Sequence, residues 1–107
     1  MSVPSESVPS QSVDSEVLRL RNMGRTFAGI SRDLGLERGL DAQHAFHRAV
    51  RALPVAERQR VRDEEVSRLD HLAERVSADT TKTDLDRARQ LKTIDRMRSQ
   101  ILEDARV

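Results

Sequence analysis

From residue 14 to the C-terminus, apolar residues recur at three- and four-residue steps, the period of amphipathic helices and not of strands. Val17, Leu18, Leu20 and Met23 supply the apolar surface of a first helix, which Asp14 or Ser15 can cap and whose positive end suits Glu16. Phe27, Ile30 and Leu34 share one face of a short second helix. Thr26 stands before it with a hydroxyl able to accept a backbone N–H, and Gly35 follows where a helix is most often ended by a left-handed residue. Leu36 can then fold back over that end. Ala42, Ala45, Phe46, Ala49, Val50 and Leu53 make one broad face of a third helix over 41–53, with Asp41 as its cap and Leu40 as a hydrophobic staple on Ala45 or Phe46.

Pro54 marks the next boundary, since proline suits the first position of a helix and not its interior. A long helix is expected over 54–77, with Val61, Val66, Leu69, Leu72, Ala73 and Val76 as its stripe. The polar run A-D-T-T-K-T, residues 78–83, reads as a loop. Thr83 with Asp86 gives a start like a capping box for a last helix over 84–104, which carries Leu85, Ala88, Leu91, Ile94, Met97, Ile101 and Leu102. The fold class is therefore all-α: a helix-turn-helix over 14–53, then an antiparallel helical hairpin over 54–107. Residues 1–13 repeat Ser-Val-Pro-Ser without helical periodicity. They are expected to be a disordered tail.

Phe27 and Phe46 are the only aromatics, so the core must be built mainly from small and aliphatic side chains and will be thin. Val66, Leu69, Ala73 and Val76 follow the spacing of a coiled-coil seam, and Leu91, Ile94, Met97 and Ile101 line the last helix. Together they form the expected partner or dimer interface, and a homodimer is the expected assembly.

Charge is unevenly placed. Between residues 15 and 53, Arg19, Arg21, Arg25, Arg32, Arg38, Arg48 and Arg51 face only Glu16, Asp33, Glu37 and Asp41, whereas residues 54–107 balance. A basic excess of this size is small for a sequence-independent nucleic-acid binder. The chemistry of catalysis is missing from the pattern. No cysteine is present, no Gly-rich phosphate loop occurs, and the carboxylates are scattered along charged helix faces. His44 and His47 have a metal-capable spacing, as do His71 and Glu74, but neither pair has a third ligand in view. No enzyme, no cofactor and no metal is expected. No apolar run approaches the length of a membrane span, and no signal-peptide pattern opens the chain. The expectation is a cytoplasmic protein without membrane contact.

Gly24, Thr26, Phe27, Ile30-Ser31 and Leu34-Gly35-Leu36 together resemble the helix-turn-helix of bacterial transcription proteins, especially the promoter-reading C-terminal region of sigma factors. The same register is similar to the head of phage small terminase subunits. The resemblance spans about Asp14 to Leu53. It departs after Leu36, where Glu37-Arg38-Gly39-Leu40-Asp41 replaces the usual start of the reading helix and implies a longer turn. The resemblance implies a DNA-binding transcriptional regulator whose third helix reads double-stranded DNA. Gln43 and His44 would then approach base edges, with His47 on the same polar side. Arg38, Arg48 and Arg51 would hold phosphates, joined by Arg25 before the second helix. The alternative expectation is a protein-interaction module that docks on RNA polymerase or another helical partner.

Overall fold

The computed structural model describes residues 10–106, with side chains from Val13 onward. These residues form five helices and no strand: α1 (Ser10–Asn22), α2 (Phe27–Leu34), α3 (Gly39–Arg51), α4 (Val55–Ala78) and α5 (Asp84–Asp104). The chain divides into two compact units at the Leu53–Pro54 junction. None of the helices is long and apolar enough to cross a membrane.

In the first unit α1 and α2 both pack on α3. Val17, Leu20, Phe27, Ile30, Ala42, Ala45, Phe46 and Val50 are all buried. The rings of Phe27 and Phe46 meet edge to face at 5.5 Å, the arrangement that places a ring's positive edge against its neighbour's negative face. Met23, expected on the apolar surface of the first helix, is 66% exposed, because α1 has already ended at Asn22.

Two glycines end two helices by the same device. Gly24 has φ +91° and Gly35 φ +71°, a conformation in which a Cβ would crowd the following carbonyl. Each lets the chain turn back so that the next residue's N–H reaches the carbonyl five residues earlier. Arg25 donates to Leu20 at 3.2 Å, and Leu36 donates to Ser31 at 2.8 Å. At the other end of α2 the Thr26 hydroxyl accepts from Gly29 N–H at 3.1 Å, as its position before Phe27 predicts.

Two helix starts differ from expectation. α1 begins at Ser10, so Asp14 lies inside the helix and caps nothing. Its carboxylate is instead held by Arg48 of α3, a tie 34 residues long that local sequence does not reveal. Ser10–Val13, assigned to the tail, are thereby helical; the rest of the tail lies outside the described residues. α3 begins at Gly39, with Arg38 in the capping position. Asp41 is the third residue of α3, where its carboxylate accepts from the Arg38 N–H at 3.0 Å. Leu40 is thus inside the first turn and 44% exposed, so it does not staple onto Ala45 or Phe46.

The second unit is the hairpin of α4 and α5. Pro54 occupies the capping position of α4, and Thr83 caps α5 by accepting from Asp86 N–H at 3.0 Å. The loop between them is knotted by Asp79, whose carboxylate accepts from the Thr81 N–H at 2.9 Å. Arg87 adds bonds of 2.8 Å to the carbonyls of Asp79 and Lys82. Across the helices, Arg98 of α5 reaches Asp70 of α4 at 2.8 Å. The buried row of α4 is Val61, Glu65, Leu69 and Val76, so a carboxylate occupies a seam position. Arg68 donates to Glu65 at 2.9 Å, supplying the charge that such a position demands. Of the expected partner interface, Leu69, Val76, Ile94 and Ile101 are buried within the chain itself. Val66, Ala73, Leu91 and Met97 are half-buried. The α4 stripe is thus buried or half-buried, whereas on α5 Leu85 and Leu102 of the expected stripe stand 59% and 48% exposed.

Candidate nucleic-acid interface

The helix-turn-helix is assembled from the α2 end upward. Gly35 stops α2, and the segment to Arg38 carries the chain to the start of α3. The Ser31 hydroxyl, buried on α2, donates to the Arg38 carbonyl at 2.6 Å. That bond fixes the entry to α3 against α2, and Asp41 braces the same residue from the other side through the Arg38 N–H. Gly39 lies beside the backbone of Ala28, where a Cβ would make ordinary contact at 3.6 Å. The first turn of α3 is in this way held on three sides by short-range bonds and packing.

With its inner side buried through Ala42, Ala45, Phe46, Ala49 and Val50, α3 turns the opposite side outward. His44, Arg48 and Arg51 are exposed there with Leu40, and Gln43 is half-buried at the margin. His47 departs from expectation. It is buried, with its ring edge-on to Phe46 at a centroid distance of 5.4 Å. Helix phase alone places position 47 between Gln43 and the exposed Leu40 and Arg51, so its burial was not legible from the period. Leu40 is the residue on the outward ridge that sequence reasoning missed, because it was assigned to the turn before the helix.

The expected phosphate contacts are mostly engaged within the unit. Arg48 grips Asp14 with two bonds of 2.9 and 2.8 Å, and that bond to Asp14 holds its guanidinium more firmly protonated than usual. Arg25 is paired with Asp33, and Arg38 reaches Asp41 at 3.3 Å. Arg19 is paired with Glu16. Arg21, counted in the basic excess, is buried; its guanidinium lies 4.0 Å over the Phe27 ring and donates to the Arg25 carbonyl at 2.9 Å. Arg32, in the last turn of α2, is exposed and makes no ion pair among the described residues. Its position just outside the Phe27–Ile30 face was the available signal. The basic excess counted along the sequence is therefore smaller as a field than as a sum, since most of these cations already hold a carboxylate or a ring.

Comparison with family models, with curated proteins and with solved structures finds no match.

Proposed function

We propose that the first unit is a DNA-binding helix-turn-helix that sets α3 into the major groove of double-stranded DNA, in a non-enzymatic regulator. The observation that carries this reading is the outward ridge of α3. Leu40, His44 and Arg51 are exposed along a helix whose inner side is packed and whose first turn is tied to α2 through Ser31. A braced helix with exposed polar side chains is what reading base pairs requires. Gln43 and His44 supply hydrogen-bonding groups toward bases, Leu40 an apolar contact suited to a thymine methyl, and Arg32, Arg38 and Arg51 the charge toward phosphates. A single copy would bind weakly, so two copies on an inverted repeat with half-sites about 34 Å apart complete the proposal.

Fluorescence anisotropy with a pool of genomic duplexes, followed by sequencing of the retained fraction, tests it. His44→Ala and Gln43→Ala are expected to change the preferred sequence at one or two positions each, at a cost of about 1–3 kcal/mol per lost base contact. A retained fraction no different from the input pool would reject the proposal.

A second reading has its own support in the pairing of Arg25, Arg38 and Arg48 with Asp33, Asp41 and Asp14. Neutralised arginines and an exposed Leu40 suit a protein surface better than a phosphate backbone. On this reading the ridge docks on RNA polymerase or another helical partner. Recovery of polymerase from nuclease-treated lysate, abolished by Leu40→Asp, would favour it over DNA reading.

A further inference from the structure

The hairpin carries as many basic as acidic residues, yet they are not evenly neutralised. Arg60, Arg62, Arg68, Lys82, Arg87, Arg98 and Arg106 each hold a carboxylate. Among the described residues, Arg75, Arg89, Lys92 and Arg96 have neither an ion pair nor a side-chain hydrogen bond. Three of these, Arg89, Lys92 and Arg96, lie on α5 at steps of three and four, so they stand in one row on one face. All three are exposed, as are Thr93, Ser99 and Gln100 alongside them. Two carboxylates lie three residues from the row, Asp86 before Arg89 and Asp95 after Lys92; Asp95 is taken by Arg98 at 2.6 Å, and Asp86 makes no ion pair with the row.

We propose that this α5 row is a second, sequence-independent nucleic-acid contact that lies along the phosphate backbone of duplex DNA. The row extends about 10 Å at 1.5 Å per residue, the axial length over which one DNA strand presents about three phosphates. The face between the three cations is polar, with no apolar anchor until Leu85 at its far end, whereas a protein interface needs a desolvated apolar centre. Duplex is favoured over single strand because single-strand binding relies on aromatic stacking, and both aromatic rings of the chain are buried. The contact is independent of the α3 reading: it supplies charge that the first unit largely spends on itself.

The test uses the full chain and a fluorescein-labelled duplex of random sequence, titrated at several salt concentrations. The triple variant Arg89→Gln, Lys92→Gln, Arg96→Gln is expected to flatten the slope of log Kd against log salt by about 2.7, from about 0.9 per phosphate lost. It should weaken binding at low salt about tenfold or more. Arg89→Lys with Arg96→Lys, which keeps both charges, should retain the original slope. A control triple at paired cations, Arg60→Gln, Arg62→Gln, Arg106→Gln, should change it less. The inference is overturned if the α5 triple binds like the unaltered chain, if the control triple falls equally, if the unaltered chain binds no duplex at low salt, or if polyglutamate binds it more tightly than DNA does. Failure of the α3 reading looks different: sequence preference is then absent or unmoved by His44→Ala, while the slope change at α5 persists.

Discussion

Asp14 and Arg48 show how much of the first unit rests on single side chains. Asp14 is 8% exposed, and a carboxylate so placed must be paired or neutralised. Arg48→Ala leaves it without its two charge-assisted bonds. Because the arginine side chain is about half exposed, the loss is expected to be about 1–2 kcal/mol, short of that for a fully buried pair. Chemical denaturation of Arg48→Ala, Asp14→Asn and the double variant checks this: the double variant should cost less than the two single losses combined. The consequence for function is specific. Under the proposed function, Arg48→Ala would act on DNA binding through stability of the α1–α3 contact as well as through any lost charge, so its effect on binding is read only beside its effect on melting. At the hairpin tip, the Thr81 hydroxyl and then its N–H hold Asp79 below the ordinary carboxylate value of 3.8. A lowered folded-state value means the stabilisation is present above about pH 4 and is lost as pH falls through that lowered value. Thr81→Val removes the larger of the two bonds, and an NMR titration should show Asp79 moving back up toward 3.8.

The turn between α2 and α3 is the element on which any groove-reading depends, and three small features set it. Gly35→Ala forces a Cβ into φ +71° with no neighbour to blame, since nothing lies within 4 Å of the added atom; the cost is backbone strain, about 1–2 kcal/mol. Gly39→Ala is expected to be neutral or to stabilise by up to about 1 kcal/mol, because Gly39 is already helical and the methyl meets Ala28 at ordinary contact distance. Thermal melts of the two variants should therefore move in different directions or by clearly different amounts; equal losses would mean that the turn is not held by the conformation of Gly35. Ser31→Ala strips the buried bond to the Arg38 carbonyl, with an expected loss of about 1–2 kcal/mol. Hydrogen exchange should speed first in the opening turn of α3, and any sequence preference in DNA binding should blur. The boundaries of α2 were legible because Thr26 and Gly35 act through their own backbone. The start of α3 was not, because Asp41 can serve equally as a cap or as the third residue of a box, and Ser31, seven residues before Arg38, decided between them.

For the molecule as a whole, the partition of apolar surface bears on assembly. The hairpin leaves Leu85 and Leu102 of α5 exposed at separate ends of the helix, and the ridge of α3 carries a single large apolar residue, Leu40. Scattered single apolar residues of this kind differ from the continuous apolar surface of an obligate dimer. Light scattering of the full chain without DNA is expected to give a monomer or a weak, concentration-dependent dimer. A stable larger assembly would show that Val66, Ala73, Leu91 and Met97 are closed by another copy, and would revise the two-copy binding scheme.

Helix number, helix ends at Gly24, Gly35, Pro54 and Thr83, and the all-α class follow from the chain alone. Periodicity and capping act over a few residues, and each residue carries its own preference wherever it sits. Three things were settled only by folding: that Asp14 belongs to Arg48, that His47 and Arg21 turn inward, and that Arg89, Lys92 and Arg96 stand without counter-charges while their neighbours find them. A charge's partner is fixed by distances through space, and burial depends on what else packs against the same helix. A one-dimensional pattern holds the candidates for those contacts, and the tertiary structure chooses among them.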